Sequence, residues 1–406
     1  MTVSGNGMSG VPAWLDPRDD RVARAAWTRL AEPGDAAAGR VVSALGAGPA
    51  LLAVVERPEE LSLYLKDARS VAGWRVRLGQ AQPLRDLETV ARFGGSLVIP
   101  SDPDWPPGLA ALGEREPFAL WVRGPASPAV PVGRTVALVG CRASSGYGDW
   151  VAAEFAAACA DRGVTVVSGA AYGIDAQAHR GALAAGGPTT AVLACGVDRP
   201  YPRGNEDLIE RIAGSGAVLS EVPPGSSPTR WRFVTRNRLI AALAGVTVVV
   251  EAGWRSGSSI TAREANDLGR PVAAVPGQVT SATSAGCHRL LREGAVCVTD
   301  AAEVMELLAP VGVDPAPRRV ARPAVHDGLD PADLRVLDAL PLRRPVDLER
   351  LAPTAGVAPE TLRAALARLE LAGLAVRVGP AWRRAPAPRP ERLLPGNQAP
   401  GSAADQ

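Results

Sequence analysis

The chain has 406 residues, of which 47% are hydrophobic and 21% are charged, and its formal net charge is +2. It can therefore bury a large core, and its length suits two or three domains. This small charge is no argument for nucleic-acid binding, and five scattered cysteines without CxxC spacing indicate neither a disulfide framework nor zinc. No apolar run approaches the roughly 20 residues that span a bilayer, and the N-terminus lacks a signal-peptide pattern. We therefore expect a cytoplasmic protein with no membrane partner and no metal.

The first part of the chain is predicted to be helical. Apolar residues recur at helical spacing from Arg21 to about Arg92, which indicates a helical domain over residues 1–90 of the SAM or helix-hairpin-helix type. The turn LGAGP has two interpretations. It is either a helix-hairpin-helix element whose backbone NH groups face a nucleic-acid phosphate, or a plain helix-capping glycine.

The middle of the chain, residues 91–310, is predicted to be α/β. A strand, a Pro-rich turn and a second strand occupy residues 94–124, and from Arg134 onwards apolar strands alternate with helical segments. This alternation is typical of βαβ units in a parallel sheet. Right-handed crossovers place helices on both faces, so we expect a Rossmann-like, doubly wound, mainly parallel sheet. The predicted parallel strands are TVALVG, VTVVS, TTAVLAC, AVLS, VTVVVEA, PVAAV and AVCVTD.

The end of the chain is predicted to hold a second, smaller folded domain. Residues 311–328 are rich in Pro, Ala and Arg and are interpreted as a linker. Three short amphipathic helices and a two-stranded wing over residues 329–384 indicate a winged helix. Such a domain binds either DNA or a partner protein, and a mainly structural or adaptor role for it stays open. Residues 385–406 have the composition of a disordered tail.

Small, hydroxylated and basic residues follow the predicted strands, at the edge where doubly wound folds bind ligands. In GCRASSGYG, Arg142, Ser144 and Ser145 precede a helix predicted to start near Asp149. A phosphate could be held there by the helix NH groups and these side chains. The alternative is a tight turn in which a serine caps the helix.

The next loop, SGAAYGID, is glycine-rich. Gly169 and Gly173 allow a close approach of the backbone to a ligand. Asp175 and His179 are one helical turn apart, which suggests acid–base chemistry or, more simply, a structural pair. No nucleophile or metal-ligand cluster accompanies them, so we expect no catalytic residue.

The loop YPRGN combines a ring with a cation. Tyr201, Arg203 and Asn205 lie within five residues. This chemistry suits a single strand of nucleic acid, because cations track the phosphates while rings stack on bases. In the alternative, Tyr201 packs against the sheet and the arginine is solvated.

The most basic stretch of the core is TRWRFVTRNR. We predict that Arg236 and Asn237 open an apolar helix and that Arg238 follows in its first turn. A cation is unfavourable at that end of a helix unless an anion is bound, so the segment RNR is a candidate phosphate site.

The segment GWRSGSSITA repeats the phosphate-binding pattern after the next strand, with Ser256, Gly257 and Ser258 before a helix. None of these loops has the GxGxxG or GxxxxGK[ST] spacing of dinucleotide and P-loop sites. We therefore expect no nucleotide cofactor.

Taken in order, these motifs closely resemble the DprA/Smf family of DNA-processing proteins over residues 94–308. The resemblance implies a core that binds single-stranded DNA, forms a homodimer and helps to load a RecA-type recombinase during natural transformation, without a catalytic reaction. The segments that carry it are VGCRASSGYG, SGAAYGIDAQAH, AVLACGVDRPYPRGN, LSEVPPG, FVTRNRLIA, VVVEAGWRSGSSITA, RPVAAVPG and AGCHRLLREGA.

The resemblance also implies roles for single residues. Arg142 matches the phosphate-binding arginine after the first strand, Arg203 the basic position of the YPxxN loop, and residues 236–238 the segment RNR. The family often has GSR, SGLARGID and GCN where this chain has GCR, SGAAYGID and GCH, so that Tyr172 stands where an arginine is usual and His288 where an amide is usual. Both departures affect the expected anion contacts.

A nucleotide-binding or nucleotide-hydrolysing enzyme is the alternative, since related Rossmann-like folds include phosphoribohydrolases. Those enzymes carry a PGGxGTxxE loop. The corresponding segment here, PGQVTSATSAG, lacks the glycine pair and the glutamate. The function that the resemblance implies is a recombination mediator that binds single-stranded DNA and protects incoming strands.

Overall fold

The computed structural model describes residues 11–65, 67, 69–309, 313–317 and 328–386. The chain forms two compact units, Met1–Pro317 and Arg318–Gln406. Most of the predicted linker and nearly all of the predicted C-terminal tail lie outside the described residues.

Within the described residues, five α-helices precede the sheet. A cluster of rings fixes them, because Trp27 is fully buried and its ring lies 5.3 Å from that of Trp74 and 5.6 Å from that of Phe118. Gly46, with a φ of 85°, ends the second helix and precedes the third, which is the capping role considered above. The helices are α1 (Asp20–Leu30), α2 (Ala36–Leu45), α3 (Ala47–Glu56), α4 (Arg69–Leu78) and α5 (Pro83–Arg92).

The sheet of the first unit has nine strands in the order β1-β2-β6-β5-β4-β3-β7-β8-β9. The seven strands from β6 to β9 in this order are parallel, and β1 and β2 extend them as antiparallel neighbours. The predicted Rossmann-like, mainly parallel sheet is confirmed. The strands are β1 (Gly95–Val98), β2 (Leu120–Arg123), β3 (Thr135–Val139), β4 (Thr165–Ser168), β5 (Thr189–Leu193), β6 (Ala217–Ser220), β7 (Val246–Val249), β8 (Val272–Ala274) and β9 (Val296–Cys297).

Helices cover both faces of this sheet. Ala137 and Val139 of β3 pack with the face formed by α9 and α10, whereas Val136 and Leu138 pack with the face formed by α6 and α7. The alternation follows from the two-residue period of a strand. The core helices are α6 (Gly146–Asp161), α7 (Ile174–Ala184), α8 (Glu206–Ser215), α9 (Arg230–Leu243), α10 (Ser258–Asp267), α11 (Ala285–Arg292) and α12 (Ala301–Leu308).

The predicted start of α9 was wrong. The helix begins at Arg230, six residues before Arg236, and Thr229 caps it by accepting a hydrogen bond from Arg232 N. Arg236 and Asn237 therefore lie in the middle of the helix. Because they are far from the positive end of the helix dipole, their charge does not require a bound anion.

Arg238 lies in the interior, with none of its side chain exposed. Its Nη2 donates to both carboxylate oxygens of Glu221, at 2.5 and 2.6 Å. The same carboxylate accepts a hydrogen bond from Gly34 N, between α1 and α2. A Cβ at Gly34 would lie 2.8 Å from the Arg238 Nε. The buried ion pair therefore joins the N-terminal helices to the sheet.

The second unit contains α13 (Pro331–Ala339), α14 (Leu348–Ala355), α15 (Pro359–Leu371) and the antiparallel strands β10 (Ala375–Val378) and β11 (Ala381–Arg384). This is the predicted order of three helices and a two-stranded wing, and its winged-helix classification stays a prediction. Trp382 packs in the core of the unit and bridges to Val346.

Among the described residues, no single helix has the length and apolar character to cross a bilayer, and only the bent pair α2 and α3, at 106°, meets that test jointly. The residues of this pair contribute to the core of the N-terminal helices. No cluster of three metal-ligating side chains occurs in the described part of the chain.

We predict that Glu221→Ala destabilises the protein by about 3–5 kcal/mol, because it leaves the Arg238 guanidinium buried without a carboxylate. The double variant Glu221→Leu/Arg238→Met should recover most of this loss. Urea unfolding measures the free energy of unfolding of the single and the double variant. Glu88→Ala, which removes the exposed pair of Glu88 and Arg92, is the control and should cost less than about 1 kcal/mol. An equal cost for Glu221→Ala and Glu88→Ala would contradict the role of the buried pair.

Candidate nucleic-acid interface

A crevice of about 810 Å³ opens at the carboxyl ends of β3 and β7. The strand order changes direction between these strands, since β4, β5 and β6 lie on one side of β3 and β7, β8 and β9 on the other. Such a switch point leaves a gap between loops that diverge to opposite sides, and ligands of doubly wound folds bind there. The walls come from the loop after β3, from α9 and its preceding loop, and from the loop between β7 and α10.

The charge of this crevice is positive. Its lining contains four arginines and one buried carboxylate, that of Asp175. Within the described residues, Arg142, Arg230 and Arg255 have no side-chain hydrogen bond or ion pair, and neither has Arg203 on the nearby YPRGN loop. Several other arginines of the unit pair with acids, as in Arg21–Asp102, Arg29–Asp86, Arg115–Glu264, Arg123–Glu210 and Arg232–Glu32. Because they have no acid partner, the arginines at this edge are free to bind phosphates.

The amino end of α6 is already occupied by a carboxylate of the protein. Glu251, buried just after β7, accepts hydrogen bonds from Ser145 N at 2.9 Å, Ser145 Oγ at 2.7 Å and Thr283 Oγ1 at 2.8 Å. A Cβ at Gly148 would lie 2.3 Å from a Glu251 oxygen. The favourable field of this helix terminus thus acts on an internal anion.

The hydroxyls of the first loop are engaged within the protein. Ser145 Oγ accepts from Gly148 N and so caps α6, while Ser144 Oγ bonds to Asp149. Burial and the charge of Glu251 raise the pKa of the Cys141 thiol to about 12. Of this loop, Arg142 alone offers a free charged group to the crevice. Ser145 therefore has the capping role considered as the alternative, and Ser144 bonds to a side chain of the same helix.

The glycine loop after β4 is built over a buried cation. Arg236 donates from Nη1 to Gly169 O at 2.8 Å and also to Val192 O. A Cβ at Gly169 would lie 2.3 Å from the Arg236 Nη2, so only glycine lets the guanidinium pass. Burial lowers the pKa of Arg236, and the nearby Asp175 opposes this effect. Burial raises the pKa of Asp175, and Arg236 opposes that shift in turn.

The YPRGN loop is tied to the same glycine loop. Asn205 is buried, and its Nδ2 donates to the carbonyl oxygens of Ala170 and Ala171. Tyr172 accepts from Gly204 N through its hydroxyl. Asn205 therefore holds the loop in place, and Arg203 is left exposed. At Tyr172, where the resemblance implies an arginine, the side chain instead forms a contact between the two loops.

The loop between β7 and α10 bonds to the start of α10 through a serine. Gly257 is the N-cap of α10 and has no side chain to cap it, but Ser256 Oγ accepts a hydrogen bond from Ser258 N at 3.4 Å. Ser256 Oγ and Ser258 Oγ lie 2.7 Å apart, and Asn237 Nδ2 donates to Gly257 O at 3.3 Å. Helix α9 thus positions the SGSS segment at the crevice.

Aromatic rings line the same crevice. Tyr201 and Phe233 pack at 5.7 Å between ring centroids, and the Arg142 guanidinium lies 5.0 Å from the centroid of Phe233. Tyr201 is 40% exposed. A cation–π contact fixes Arg142 while leaving its NH groups available for hydrogen bonds.

Comparison with known proteins agrees with this arrangement. A family model described as DNA recombination-mediator protein A matches residues 96–309, more than half of the chain. The chain belongs to this family. A DprA relative from Mycobacterium tuberculosis is 46% identical over 312 residues, which cover 73% of this chain and 79% of the relative.

Further DprA proteins show the same relationship. DNA processing protein DprA of Streptococcus pneumoniae is 43% identical over 170 residues, 42% of this chain and 60% of that protein. The X-ray structure of DprA from the same species superposes with a TM-score of 0.58 and 28% identity, over 70% of this chain and 96% of that one. The predicted DprA/Smf membership is confirmed, and with it a role in DNA processing as a recombination mediator.

The structure brings half of the predicted site residues together in the crevice. The lining residues are Arg142, Tyr201, Arg236, Asn237, Ser256, Gly257 and Ser258. The other seven do not line it: Ser144, Ser145, Gly169, Gly173 and Asn205 shape the surrounding loops, Arg203 stands exposed beside them, and Arg238 is buried behind α9.

Sequence reasoning left four residues of the site without a role. Arg230, Phe233 and Arg255 line the crevice, although the predicted set omitted them. Glu251 was missed altogether. The signal for the two arginines was their position beside tryptophans in the two basic segments. The signal for Glu251 was an acid at the end of a buried strand, VVVEA.

His179 has a structural role. It is fully buried on α7, and its Nδ1 lies 2.7 Å from Thr189 Oγ1. Burial lowers its pKa to about 3. It is therefore neutral at physiological pH and has no route to the crevice, which agrees with the structural interpretation of Asp175 and His179. His288, on α11, similarly packs against the loop that precedes this helix, with its Nε2 3.0 Å from Gly277 O.

We predict that stability falls as the pH falls below about 6.5. The unfolded chain protonates His179 near its ordinary pKa of 6.5, whereas the folded protein does so only near 3, so protons favour unfolding between these values. When the pH is lowered from 7.5 to 5.5, this residue accounts for a loss of about 1.4 kcal/mol in the free energy of unfolding. Urea unfolding at both pH values should show a smaller loss for His179→Gln than for wild type. Identical losses would show that the buried imidazole is not the titrating group.

Proposed function

We propose that this protein is a recombination mediator that binds single-stranded DNA in the crevice at the carboxyl edge of the sheet. In this proposal it protects incoming strands during DNA uptake and helps to load a RecA-type recombinase on them. The observation that carries the proposal is the group of unpaired arginines at this edge. Family membership supports the mediator role, and the crevice chemistry supports the choice of ligand.

Phosphates are the expected partners of these cations. Arg142, Arg230 and Arg255 surround one crevice without hydrogen-bonded acids to neutralise them. Arg203 extends the positive surface from the adjacent loop. The guanidinium fork suits a phosphodiester because it donates two parallel hydrogen bonds. Binding should therefore weaken steeply as salt rises.

The rings favour a single strand over a duplex. Tyr201 and Phe233 lie in the same crevice as the arginines. Bases are free to stack on side chains only when they are unpaired, and stacking tolerates any sequence. We therefore propose Tyr201 as a stacking residue and assign Ser144, Ser145, Gly169, Gly173 and Asn205 to holding the loops.

The partners of the mediator follow from the resemblance. A homodimer would present two crevices to one strand, which raises affinity through effective concentration. A RecA-type recombinase would then receive the strand from the protein. The nucleotide-enzyme alternative has no support from the loop at residues 276–286, whose Thr283 bonds to Glu251.

The test is fluorescence anisotropy of a labelled oligo-dT and of its duplex, over a salt series. Arg142→Ala/Arg255→Ala should lose affinity for oligo-dT and give a slope of log K against log salt concentration that is smaller in magnitude by about 1.4, because each phosphate contact of a single strand contributes about 0.7. Wild type should bind the single strand more tightly than the duplex.

The matched control is Arg134→Ala/Arg162→Ala. These exposed arginines precede β3 and β4 at the opposite edge of the sheet, and the variant removes the same charge. It should bind like wild type. Equal losses of affinity in both variants would show that the DNA binds elsewhere or that the effect comes from net charge alone. Release of free base from nucleoside monophosphates by the wild type would favour the enzyme alternative.

A further inference from the structure

Trp254 stands at the rim of the crevice and has no role in the site described above. It follows β7 between Gly253 and Arg255, which both line the crevice. Its exposed fraction is 63%. A tryptophan at such a position either points freely into solvent or is held there for a ligand, and its contacts decide between these cases.

The indole of Trp254 is held by Arg289 of α11. The Arg289 guanidinium carbon lies 5.4 Å from the ring centroid, and Nη1 donates to Trp254 O at 3.2 Å. Nη2 of the same group donates to Ser259 Oγ in the first turn of α10. One arginine thus fixes both the ring and the loop that follows it. A restrained ring loses less conformational entropy when a ligand binds.

The opposite wall has a similar arrangement. On α9, Arg230 lines the crevice and the adjacent Trp231 is also 63% exposed. On each wall, an arginine that lines the crevice is therefore next in sequence to an exposed indole. Because a nucleotide carries its base beside its phosphate, this spacing of cation and ring suits successive nucleotides of one strand.

We infer that Trp254, positioned by Arg289, is a nucleobase-stacking platform that extends the DNA path beyond the crevice towards α11. This inference rests on the proposed function. Arg255 contacts a phosphate inside the crevice, and the neighbouring base stacks on the face of Trp254 that Arg289 leaves open. Arg289 acts on the DNA through Trp254, as a positioning residue.

The experiment compares a labelled oligo-dT with an abasic phosphodiester of the same length. Trp254→Ala should weaken oligo-dT binding by a factor of about 5 to 150, because loss of one stacked base costs that much. It should leave binding of the abasic strand nearly unchanged. Trp254→Phe, which keeps an aromatic face, should retain most of the affinity for oligo-dT.

Two further variants separate stacking from general effects. Trp150→Ala removes an indole with the same 63% exposure from α6, on the other face of the sheet, and should bind both strands like wild type. Arg289→Gln should weaken oligo-dT binding in the wild-type background by several fold. In the Trp254→Ala background it should have no further effect, as expected for residues that act together.

The outcomes separate this inference from the proposed function. Unchanged oligo-dT affinity in Trp254→Ala, with tight and salt-dependent binding by wild type, overturns the stacking platform and leaves the mediator proposal intact. Equal losses on oligo-dT and on the abasic strand also overturn it, because the ring would then act through the fold. Absence of single-strand binding by wild type would remove both.

Discussion

The carboxyl edge of the sheet depends on one buried carboxylate. Glu251 follows the central strand β7 and accepts hydrogen bonds from the backbone N and the hydroxyl of Ser145 and from the hydroxyl of Thr283. It therefore fills the amino end of α6, the position where many doubly wound proteins bind a ligand phosphate. With this position neutralised internally, the protein presents side-chain cations instead. The groups available to bind phosphate are therefore the arginines along the crevice and not the amino end of a helix.

The arginines of the core fall into two groups, those that pair with an acid and those that do not. Arg238 meets Glu221 in the interior and joins the N-terminal helices to the sheet, whereas Arg236, two residues earlier, supports the Gly169 loop through carbonyl oxygens. Arg142 and Arg255 meet no acid. One basic segment, RNR, thus supplies structure, and the free charge comes from loops around it. This division explains how a chain of small net charge can present a strongly positive crevice.

Much of the fold could be predicted because apolar runs such as TVALVG and VTVVVEA are long, buried and separated by helical segments. The start of α9 could not, because RWRFVT alternates cations with rings and shows no apolar stripe at helical spacing. Nor could the sequence distinguish Arg238 from Arg142, since that depends on Glu221, a partner supplied by tertiary packing. The hydrogen bonds from Ser145 at the start of α6 to Glu251 join residues 106 positions apart, which local patterns do not reveal.

The most direct test of the account is photo-crosslinking of oligonucleotides that carry 5-iodouracil, with the crosslinked peptides identified by mass spectrometry. If single-stranded DNA occupies the crevice, crosslinks should map to the loop after β3, to the first turns of α9 and to the loop between β7 and α10. Rings within these segments, above all Phe233 and Trp254, are the expected sites. Crosslinks confined to α13–β11, or to the edge that holds Arg134 and Arg162, would contradict the account.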